Sequence, residues 1–311
     1  MAGMGDFYHA LPKAELHVHL EGSIEPETLR ELAPELSPEE IARRYHYVDF
    51  LGFLKSFEWV TGHLRTPSDY VLATRRLLDR LETENVQYAE IIFSAGVVLW
   101  RNLELAPIFD AIRREAKGRK TAVCWLFDAV RQFGVEHVTS VAKAAAARVD
   151  DGVIGFGIGG DEARGPARLF RDAFALAREG GLRLTAHAGE TAGPDSVWAA
   201  LEAGAERIGH GICSVEDPVL VKHLRDNDIP LEVSISSNVR TGAVASLKDH
   251  PIRRLYDAGV PITLNSDDPA MFETTLVREY EIAAREFGFS DKDLERIAGN
   301  GFRYAFGTKR A

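Results

Sequence analysis

The chain has 311 residues, a formal net charge of −10 at pH 7 and a hydrophobic fraction of 45%. These values are typical of a globular protein. The acidic balance argues against nucleic acid as a partner, because phosphate binding requires a basic surface. No apolar run approaches the roughly 20 residues of a membrane span, and the N-terminal segment lacks the pattern of a secretory signal. We therefore expect a cytoplasmic protein that acts on a small molecule.

Eight short apolar runs alternate with longer segments of helical periodicity. They cover residues 14–20, 86–94, 121–129, 152–160, 182–189, 206–212, 230–236 and 261–267. This alternation predicts βαβ units and a parallel sheet. Eight such units in this length favour a single (β/α)8 TIM barrel domain over residues 1–311. The alternative is a doubly wound open sheet, which usually has a Gly-rich phosphate loop where this chain has only "HLEGS".

The intervals between the runs predict the helices of the barrel. Residues 21–85 are long enough to contain extra helices after the first strand, and the aromatic-rich "YHYVDFLGFLKSFEWV" is expected to cover one end of the barrel. The segment "GPARLFRDAFALAREGG" ends in a glycine pair that can cap a helix. The last 40 residues are predicted to form terminal helices.

Polar residues that can bind a metal or move a proton concentrate at the carboxyl ends of five predicted strands. These groups are His17 and His19, the "GGDE" segment 159–162, His187 and Glu190, His210, and Asp267 and Asp268. In barrels of this class the active site forms at the carboxyl ends of the strands. The distribution therefore indicates one shared site.

Each group alone has a structural alternative. A His-x-His pair in a strand is often incidental, and His187 could be a core histidine. Asp267 and Asp268 precede Pro269, so they could cap a helix, because Asp is a favoured N-cap residue and Pro suits the first turn. The combination on separate strands of one barrel favours a functional site over these alternatives.

The spacing of the histidines suits a metal ion. Side chains two residues apart on a strand share a face, so His17 and His19 can reach the same ion. His187 and one aspartate would complete a set of three nitrogens and one oxygen. Such a set suits zinc with a position open for water, whose pKa the ion lowers to about 7. Glu190 and His210 remain as proton carriers.

Six segments together resemble the adenosine/adenine deaminase branch of the amidohydrolase superfamily. They are "LPKAELHVHLEGS", "GGDE", "HAGE", "RIGHG", "SSNVRTGAV" and "LNSDDPAMF", which span residues 11–272 in the order found in that family. The resemblance implies hydrolytic removal of the 6-amino group of a purine, which yields a 6-oxopurine and ammonia. The other zinc deaminase class is excluded, because its P-C-x-x-C signature is absent.

The resemblance also implies a role for each site residue. One zinc ion would be held by His17, His19, His187 and Asp267. Glu190 would protonate the purine N1, and His210 would orient and deprotonate the attacking water. Asp268 would bond to the ring near N7, and the backbone of Gly160 would meet the ring near N3.

Departures from the family pattern concern the part of the site that would hold the substrate's tail. Glu21 stands where adenosine deaminases usually have an aspartate that meets the ribose 5′-hydroxyl, and adenine-specific members often have glutamate there. "SNVRTGAV" instead resembles bacterial nucleoside deaminases, although the usual Cys-Pro before it is replaced by "VSISSN". Trp100 and Arg131 could hold an aromatic ring and a carboxylate. Their structural alternatives are packing under a helix for Trp100 and an ion pair with Glu162 for Arg131.

These features suggest a 6-aminopurine nucleoside with a modified 5′ end. Aminodeoxyfutalosine, the menaquinone-pathway intermediate with a carboxyphenyl group at that end, is the leading example. Free adenine is the alternative substrate. Two other classes of function stay open: another mononuclear amidohydrolase reaction on the same barrel, and a nucleoside-binding protein without activity.

Overall fold

The computed structural model describes residues 4–307, and its eight strands form one parallel sheet in chain order. The strands are β1 Lys13–His19, β2 Val86–Phe93, β3 Ala122–Val130, β4 Val153–Gly159, β5 Arg183–Ala188, β6 Arg207–His210, β7 Leu231–Val233 and β8 Ile262–Leu264. Each predicted run overlaps one of these strands, with β1 beginning one residue before its run and β3 ending one residue after its run. The (β/α)8 barrel is therefore confirmed, and the doubly wound sheet is wrong.

Helices connect the strands and surround the barrel. They are α1 Met4–Ala10, α2 Pro26–Leu32, α3 Pro38–Arg44, α4 Phe50–Thr61, α5 Pro67–Thr83, α6 Ala95–Trp100, α7 Leu105–Ala116, α8 Val135–Ala146, α9 Arg171–Glu179, α10 Pro194–Ala203, α11 Pro218–Asp226, α12 Ile235–Arg240, α13 Ile252–Asp257, α14 Leu276–Phe287 and α15 Asp291–Arg303. The expected extra helices after β1 are α2, α3 and α4. The expected terminal helices are α14 and α15. In the described part of the chain, no helix is both long and apolar enough to cross a membrane.

Local sequence explains where individual helices begin and end. Thr66 and Asp69 form a reciprocal capping box at the start of α5, and Pro67 occupies its first turn. Such caps satisfy amide groups that have no partner within the helix. The predicted glycine pair follows α9, where Gly181 has a φ of +89°. The end of α9 is therefore the one that the glycine pair predicts, and the capping box of α5 is a finding of the structure.

The barrel closes between β8 and β1 through side chains as well as backbone. The amide oxygen of Asn265 accepts hydrogen bonds from the backbone N–H groups of Leu16 and His17, at 3.0 and 3.1 Å. Beyond it, the N–H of His19 donates to the carbonyl of Asp267 at 2.7 Å, and Val18 and Asp267 form an isolated parallel bridge. The loop after β8 is thus fixed directly to the strand that carries the first two histidines.

The two final strands are shorter than predicted. β7 ends at Val233, where residues 230–236 were expected to be extended, and the chain turns into α12 at Ile235. β8 ends at Leu264, so Asp267 lies outside the strand and has a left-handed φ of +63°. Because Asp267 lies outside the strand, the alternation of a strand does not set the directions of Asp267 and Asp268. The left-handed turn at Asp267 sets them instead, and the two carboxyl groups stay close enough to interact.

Candidate metal centre and active site

A cavity of about 790 Å³ opens at the carboxyl ends of the strands. It is lined by His19, His187, His210, Asp267 and Asp268, which the sequence places at this end, and also by aromatic side chains of α4. Phe57 of α4 lies with its ring centroid 6.4 Å from that of His19. The aromatic-rich segment after β1 therefore covers the active-site end of the barrel, as expected.

Four buried or half-buried side chains converge at the base of this cavity: His17 and His19 from β1, His187 from β5, and Asp267 after β8. Nε2 of His187 lies 3.0 Å from Nε2 of His17 and 3.1 Å from Nε2 of His19. Oδ1 of Asp267 lies 3.4 Å from Nε2 of both His17 and His19. Ligands of a tetrahedral zinc ion at about 2.0–2.1 Å lie about 3.3 Å from one another. The spacing therefore fits one zinc ion.

The second ring nitrogens of two of these histidines are held by the protein. Nδ1 of His17 lies 2.7 Å from Oε2 of Glu232, and Nδ1 of His187 lies 3.1 Å from the carbonyl of Ile158. Both partners are acceptors, so each Nδ1 carries a hydrogen, and in the neutral form of each ring the Nε2 lone pair is the one available to a metal. Nε2 of His187 contacts Nε2 of both other histidines, and as a neutral acceptor it cannot form satisfactory hydrogen bonds with two further acceptor nitrogens. A cation satisfies them together.

The charges around the cluster also favour a cation. Burial lowers the pKa of His19 to about 3, and burial together with the neighbouring histidines holds the pKa of His187 well below its usual value. Burial acts in the same direction on His17, but its bonds to Asp267 and Glu232 outweigh it and raise its pKa to about 10. His19 and His187 are therefore neutral, and His17 lies between two carboxylates that favour a positive charge at this point. Imidazole nitrogens with a carboxylate oxygen are donors that suit zinc.

A chain of buried ion pairs supports His17 on the side away from the cavity, through Glu232. Oε1 of Glu232 lies 2.5 Å from Nε of Arg207, and the same guanidinium lies 2.6 Å from Oε2 of Glu90. The ring of Phe306 packs 3.5 Å from the guanidinium carbon of Arg207. The chain therefore connects the orientation of His17 to the C-terminal segment packed inside the barrel.

Glu190 lies beside the metal cluster as a buried carboxyl group. Burial, with the charges of Asp267 and Glu162, raises its pKa well above the usual value. Oε2 of Glu190 lies 3.7 Å from Nε2 of His210, and the hydroxyl of Thr241 donates to Oε1 at 3.4 Å. A carboxyl group that keeps its proton near neutral pH can act as a general acid.

Glu162 holds the backbone that carries Glu190. Its carboxylate accepts hydrogen bonds from the N–H groups of Gly189, Glu190 and Thr191, at 2.7, 2.9 and 2.8 Å, and from the hydroxyl of Ser196. The last residue of the "GGDE" segment therefore positions the loop after β5. Because Glu162 is only 3% exposed, these bonds are sheltered from water.

Asp268 and Gly160 lie on the wall of the cavity. Burial and the adjacent Asp267 raise the pKa of Asp268 well above its usual value, and its Oδ1 has no partner among the described residues. Gly160 has a φ of +94°, and a Cβ there would lie 2.2 Å from Oε1 of Gln132. Asp268 does not cap a helix, because α14 begins eight residues later and is capped by Thr275. Both residues are thus free to face a ligand.

The sequence profile of the family described as adenosine deaminase matches residues 12–310. The chain belongs to the adenosine deaminase family. It is 39% identical to an aminodeoxyfutalosine deaminase of Streptomyces avermitilis, over 96% of this chain and 88% of that protein. It is 38% identical to an adenine deaminase of Rhizobium leguminosarum, over 95% of each chain. A zinc-bound amidohydrolase of Burkholderia ambifaria superimposes on this chain with a TM-score of 0.90 at 27% identity. The superposition covers 99% of this chain and 89% of the Burkholderia chain.

Membership of this family makes the protein a deaminase, a hydrolase that acts on carbon–nitrogen bonds. The fold, the His/Asp cluster and the zinc-bound relative point to a metal at the base of the cavity. Two further residues, Arg131 and Glu21, were expected to contact the substrate. Neither of them lines the cavity.

Arg131 is buried and its guanidinium is used inside the protein. It donates to the carbonyls of His187, Gly165 and Gly159, at 2.5, 3.2 and 3.3 Å, and it is only 1% exposed. Burial lowers the pKa of Arg131 and the charge of Glu162 opposes this, but the described residues contain no ion pair between the two, so the alternative of a direct ion pair is not confirmed. We therefore correct the expectation that Arg131 holds a substrate carboxylate: in this deaminase it supports the strand end that carries His187.

Glu21 lies one layer behind the cavity. Its carboxylate accepts hydrogen bonds from the N–H and hydroxyl of Ser94, at 3.1 and 3.0 Å, and Ser94 rather than Glu21 lines the cavity. Burial raises the pKa of Glu21 to about 7. A substrate hydroxyl at this point would meet Ser94 first, with Glu21 fixing the orientation of that hydroxyl group.

The outer part of the cavity is aromatic and carries a cation. The rings of Trp100 and Phe133 stack with centroids 4.2 Å apart at an angle of 12°, and both residues line the cavity. Trp100 is 56% exposed, so it does not pack under a helix. Arg164 lines the same cavity and is exposed. Sequence reasoning found Trp100 and missed the other two.

Several buried polar residues of the site were also missed. Asp128 of β3 lines the cavity, and burial raises its pKa to about 7. Glu232 and Asn238 contact His17 and His210. A polar residue inside an otherwise apolar strand, as in "PLEVSIS" or "TAVCWLFDA", was the signal that could have found Glu232 and Asp128.

Proposed function

We propose that this protein is a zinc-dependent deaminase of 6-aminopurine nucleosides with an extended 5′ group. The observation that carries the proposal is the cavity, which runs from the His/Asp cluster to the stacked pair Trp100 and Phe133. Its volume of about 790 Å³ lies in the upper part of the range of about 300–1,000 Å³ for small-molecule sites. A free purine would leave most of it empty.

One zinc ion per chain would be held by His17, His19, His187 and Asp267. Bound there, it would supply a Lewis acid and lower the pKa of a water molecule to about 7. The contact distances of 3.0–3.4 Å between the four ligand atoms support this ligand set.

Glu190 would supply the proton for the ring. Nucleophilic addition at C6 breaks the aromaticity of the purine, and a proton delivered to N1 prevents a full negative charge on the ring. The raised pKa of Glu190 supports this role, because it favours the protonated carboxyl group that can donate. The hydroxyl proton of the added water then passes to the amino group, the carbon–nitrogen bond breaks, ammonia leaves, and the 6-oxopurine with a hydrogen on N1 remains.

Asp268 and Gly160 would hold the purine ring. The raised pKa of Asp268 favours its protonated form, which donates a hydrogen bond to an acceptor such as N7. Its unpartnered Oδ1 supports a ligand contact, because a buried polar atom without a partner costs about 1–3 kcal/mol. At Gly160 the left-handed backbone and the absent Cβ let the chain approach the ring near N3.

The aromatic outer cavity would hold the 5′ substituent. A ring on the substrate could pack against Trp100 and Phe133, and a carboxylate on that ring could pair with Arg164, since guanidinium groups bind carboxylates in two-pronged geometry. Aminodeoxyfutalosine, with its carboxyphenyl group, has this chemistry. The 39% identity to a Streptomyces aminodeoxyfutalosine deaminase supports the choice.

Free adenine is the second candidate. It is favoured by the 38% identity to a Rhizobium adenine deaminase and by the glutamate at position 21. The experiment is a comparison of kcat/KM for aminodeoxyfutalosine, adenosine and adenine, followed by the ultraviolet change on loss of the 6-amino group. We expect the order aminodeoxyfutalosine, adenosine, adenine. Turnover of free adenine equal to or better than that of both nucleosides would overturn the nucleoside proposal.

A further inference from the structure

His210 is the first member of a buried hydrogen-bond chain that leads away from the cavity. Its Nδ1 lies 3.0 Å from Nδ2 of Asn238, and Oδ1 of Asn238 lies 3.1 Å from Nε2 of His250. The chain ends where the backbone N–H of Ile252 donates to Nδ1 of His250 at 3.2 Å. The three side chains are 1%, 0% and 4% exposed, so bulk water does not compete for these bonds.

The backbone N–H of Ile252 sets the direction of the whole chain. An amide N–H can only donate, so Nδ1 of His250 must accept and cannot carry a hydrogen. Burial lowers the pKa of His250 to about 3, so the ring is neutral. Its single hydrogen is therefore on Nε2, which donates to Oδ1 of Asn238.

This direction also resolves which way the amide of Asn238 points. Amide orientation is assigned from hydrogen-bond partners. If the amide were reversed, its NH₂ group would face the N–H of His250, and two donors would meet in a buried site. The observed orientation is thus the only one that satisfies both neighbours, and it directs an N–H of Asn238 at Nδ1 of His210.

We propose that Asn238 and His250 are positioning residues that fix His210 as the tautomer with its hydrogen on Nε2. That nitrogen lies 3.7 Å from Oε2 of Glu190 and 3.8 Å from Oδ2 of Asp267. His210 therefore presents a donor, not a lone pair, to the point where the proposed function requires a nucleophile. It orients an oxygen atom there by donating to it, and a neutral His210 has no free nitrogen with which to remove a proton.

The backbone around Asn238 is held in place, so the chain is rigid. The N–H of Asn238 donates to the carbonyl of Ser234 at 3.1 Å, and the carbonyl of Asn238 accepts from the N–H of Val244 at 2.8 Å. Asn238 also lies in α12, the short helix that replaces the predicted end of β7. The early end of that strand is what brings the amide under His210.

The test is nitrogen NMR of the full, zinc-loaded chain labelled with ¹⁵N-histidine. The signals of His210 are assigned as those lost in His210→Gln. We expect a protonated Nε2 and an unprotonated Nδ1 in the unsubstituted protein. An unprotonated Nε2 would overturn the proposal. This NMR measurement needs no turnover. It therefore still tests the tautomer of His210 if the protein deaminates none of the nucleosides offered.

Asn238→Asp should reverse the tautomer. A carboxylate accepts from both neighbours, so the hydrogen of His210 moves to Nδ1 and Nε2 loses its donor. With the proposed substrate, we expect kcat to fall about 10- to 1,000-fold, while KM stays within about threefold. Zinc content should not change. Unchanged tautomer and kcat in the folded variant would contradict the role of Asn238.

Two further variants separate positioning from packing. His250→Gln keeps an N–H that can donate to Oδ1 of Asn238, so it should retain the Nε2-protonated form of His210 and most of kcat. His250→Phe fills the space without a donor and should lose both. Equal effects of these two substitutions would overturn the proposal. The surface pair Asn227 and His223, with Nδ2 of the asparagine 3.3 Å from Nδ1 of the histidine, supplies the control: Asn227→Asp should leave kcat and the His210 signals unchanged.

Discussion

A Cβ atom at Gly22 would lie 1.7 Å from Oδ1 of Asp268. The turn after β1 and the loop after β8 therefore meet at a point where only glycine leaves room for the carboxyl group. The N–H of Ala270 also donates to the carbonyl of Gly22 at 3.1 Å, which fixes the two segments together. The position of Asp268 against the cavity thus depends on a residue that has no side chain.

Gly22→Ala should displace Asp268 without removing the metal. We expect KM for the purine nucleoside to rise at least about tenfold, because a displacement of about 1 Å in a binding group can cost that much or more. Zinc content, measured by plasma mass spectrometry, should be unchanged. Gly299→Ala is the control, because nothing lies within 4 Å of a Cβ at that position. A KM equal to that of the control would show that Asp268 does not hold the substrate.

Asp267 and Asp268 should respond differently to truncation. Asp267→Ala removes the only carboxylate among the four clustered ligand atoms, so we expect zinc to be lost and kcat to fall to background. Asp268→Ala should keep zinc and lower kcat/KM, because the residue is outside the group of four clustered ligands and is proposed to hold the purine ring. Metal content and kinetics are measured on the same preparations. Loss of zinc from both variants would contradict this division.

Much of the fold follows from the sequence, because alternating apolar runs and helical segments record which side chains are buried. His17 and His19 are two residues apart on one strand, so their shared face is a consequence of strand geometry alone. The single domain over residues 1–311 stays a prediction. The helix caps at Thr66 and Gly181 are also local and could be predicted.

The parts of the site that could not be predicted depend on contacts between distant segments. Asp267 turns inward because a left-handed residue and a bridge to Val18 place it there, not because a strand alternates. Arg131 and Arg164 differ only in which one the fold buries, and a single sequence contains no signal for that. The chain from His210 through Asn238 requires three segments to meet, so no local pattern indicates it.

Arg164 should determine the preference for an anionic 5′ group. Arg164→Ala is expected to raise KM for aminodeoxyfutalosine about 10- to 100-fold, since a charge-assisted hydrogen bond contributes about 1.5–3 kcal/mol. KM for adenosine, which lacks the carboxylate, should stay within about twofold. Arg168→Ala, an exposed arginine on the same segment, is the control. Equal losses with both substrates would show that Arg164 supports the loop and does not recognise the tail.

Glu15 should make the protein less stable as the pH rises. Burial raises its pKa from an ordinary 4.5 to about 7, although its hydrogen bonds to Ser266 act in the opposite direction. Between these pH values the unfolded chain loses a proton that the folded protein keeps, so the free energy of unfolding falls as pH rises from about 4.5 to about 7. The effect is at most about 3 kcal/mol.

Glu15→Gln should remove this part of the pH dependence. Urea denaturation at pH 5 and pH 8 is expected to show a loss of stability that is smaller in the variant than in the unsubstituted protein, by about 1–3 kcal/mol. The exposed Glu27→Gln supplies the comparison. If both variants and the unsubstituted protein lose the same stability over this range, Glu15 is ionised in the fold at pH 5.

The central claim is that the cluster of His17, His19, His187 and Asp267 is the catalytic metal centre of a purine nucleoside deaminase. The most direct measurement is turnover of aminodeoxyfutalosine by chelator-treated protein during titration with zinc. We predict background activity without metal and a rise that saturates at about one zinc per chain, in keeping with a single tetrahedral site. Full kcat in protein shown to contain no metal would contradict the account.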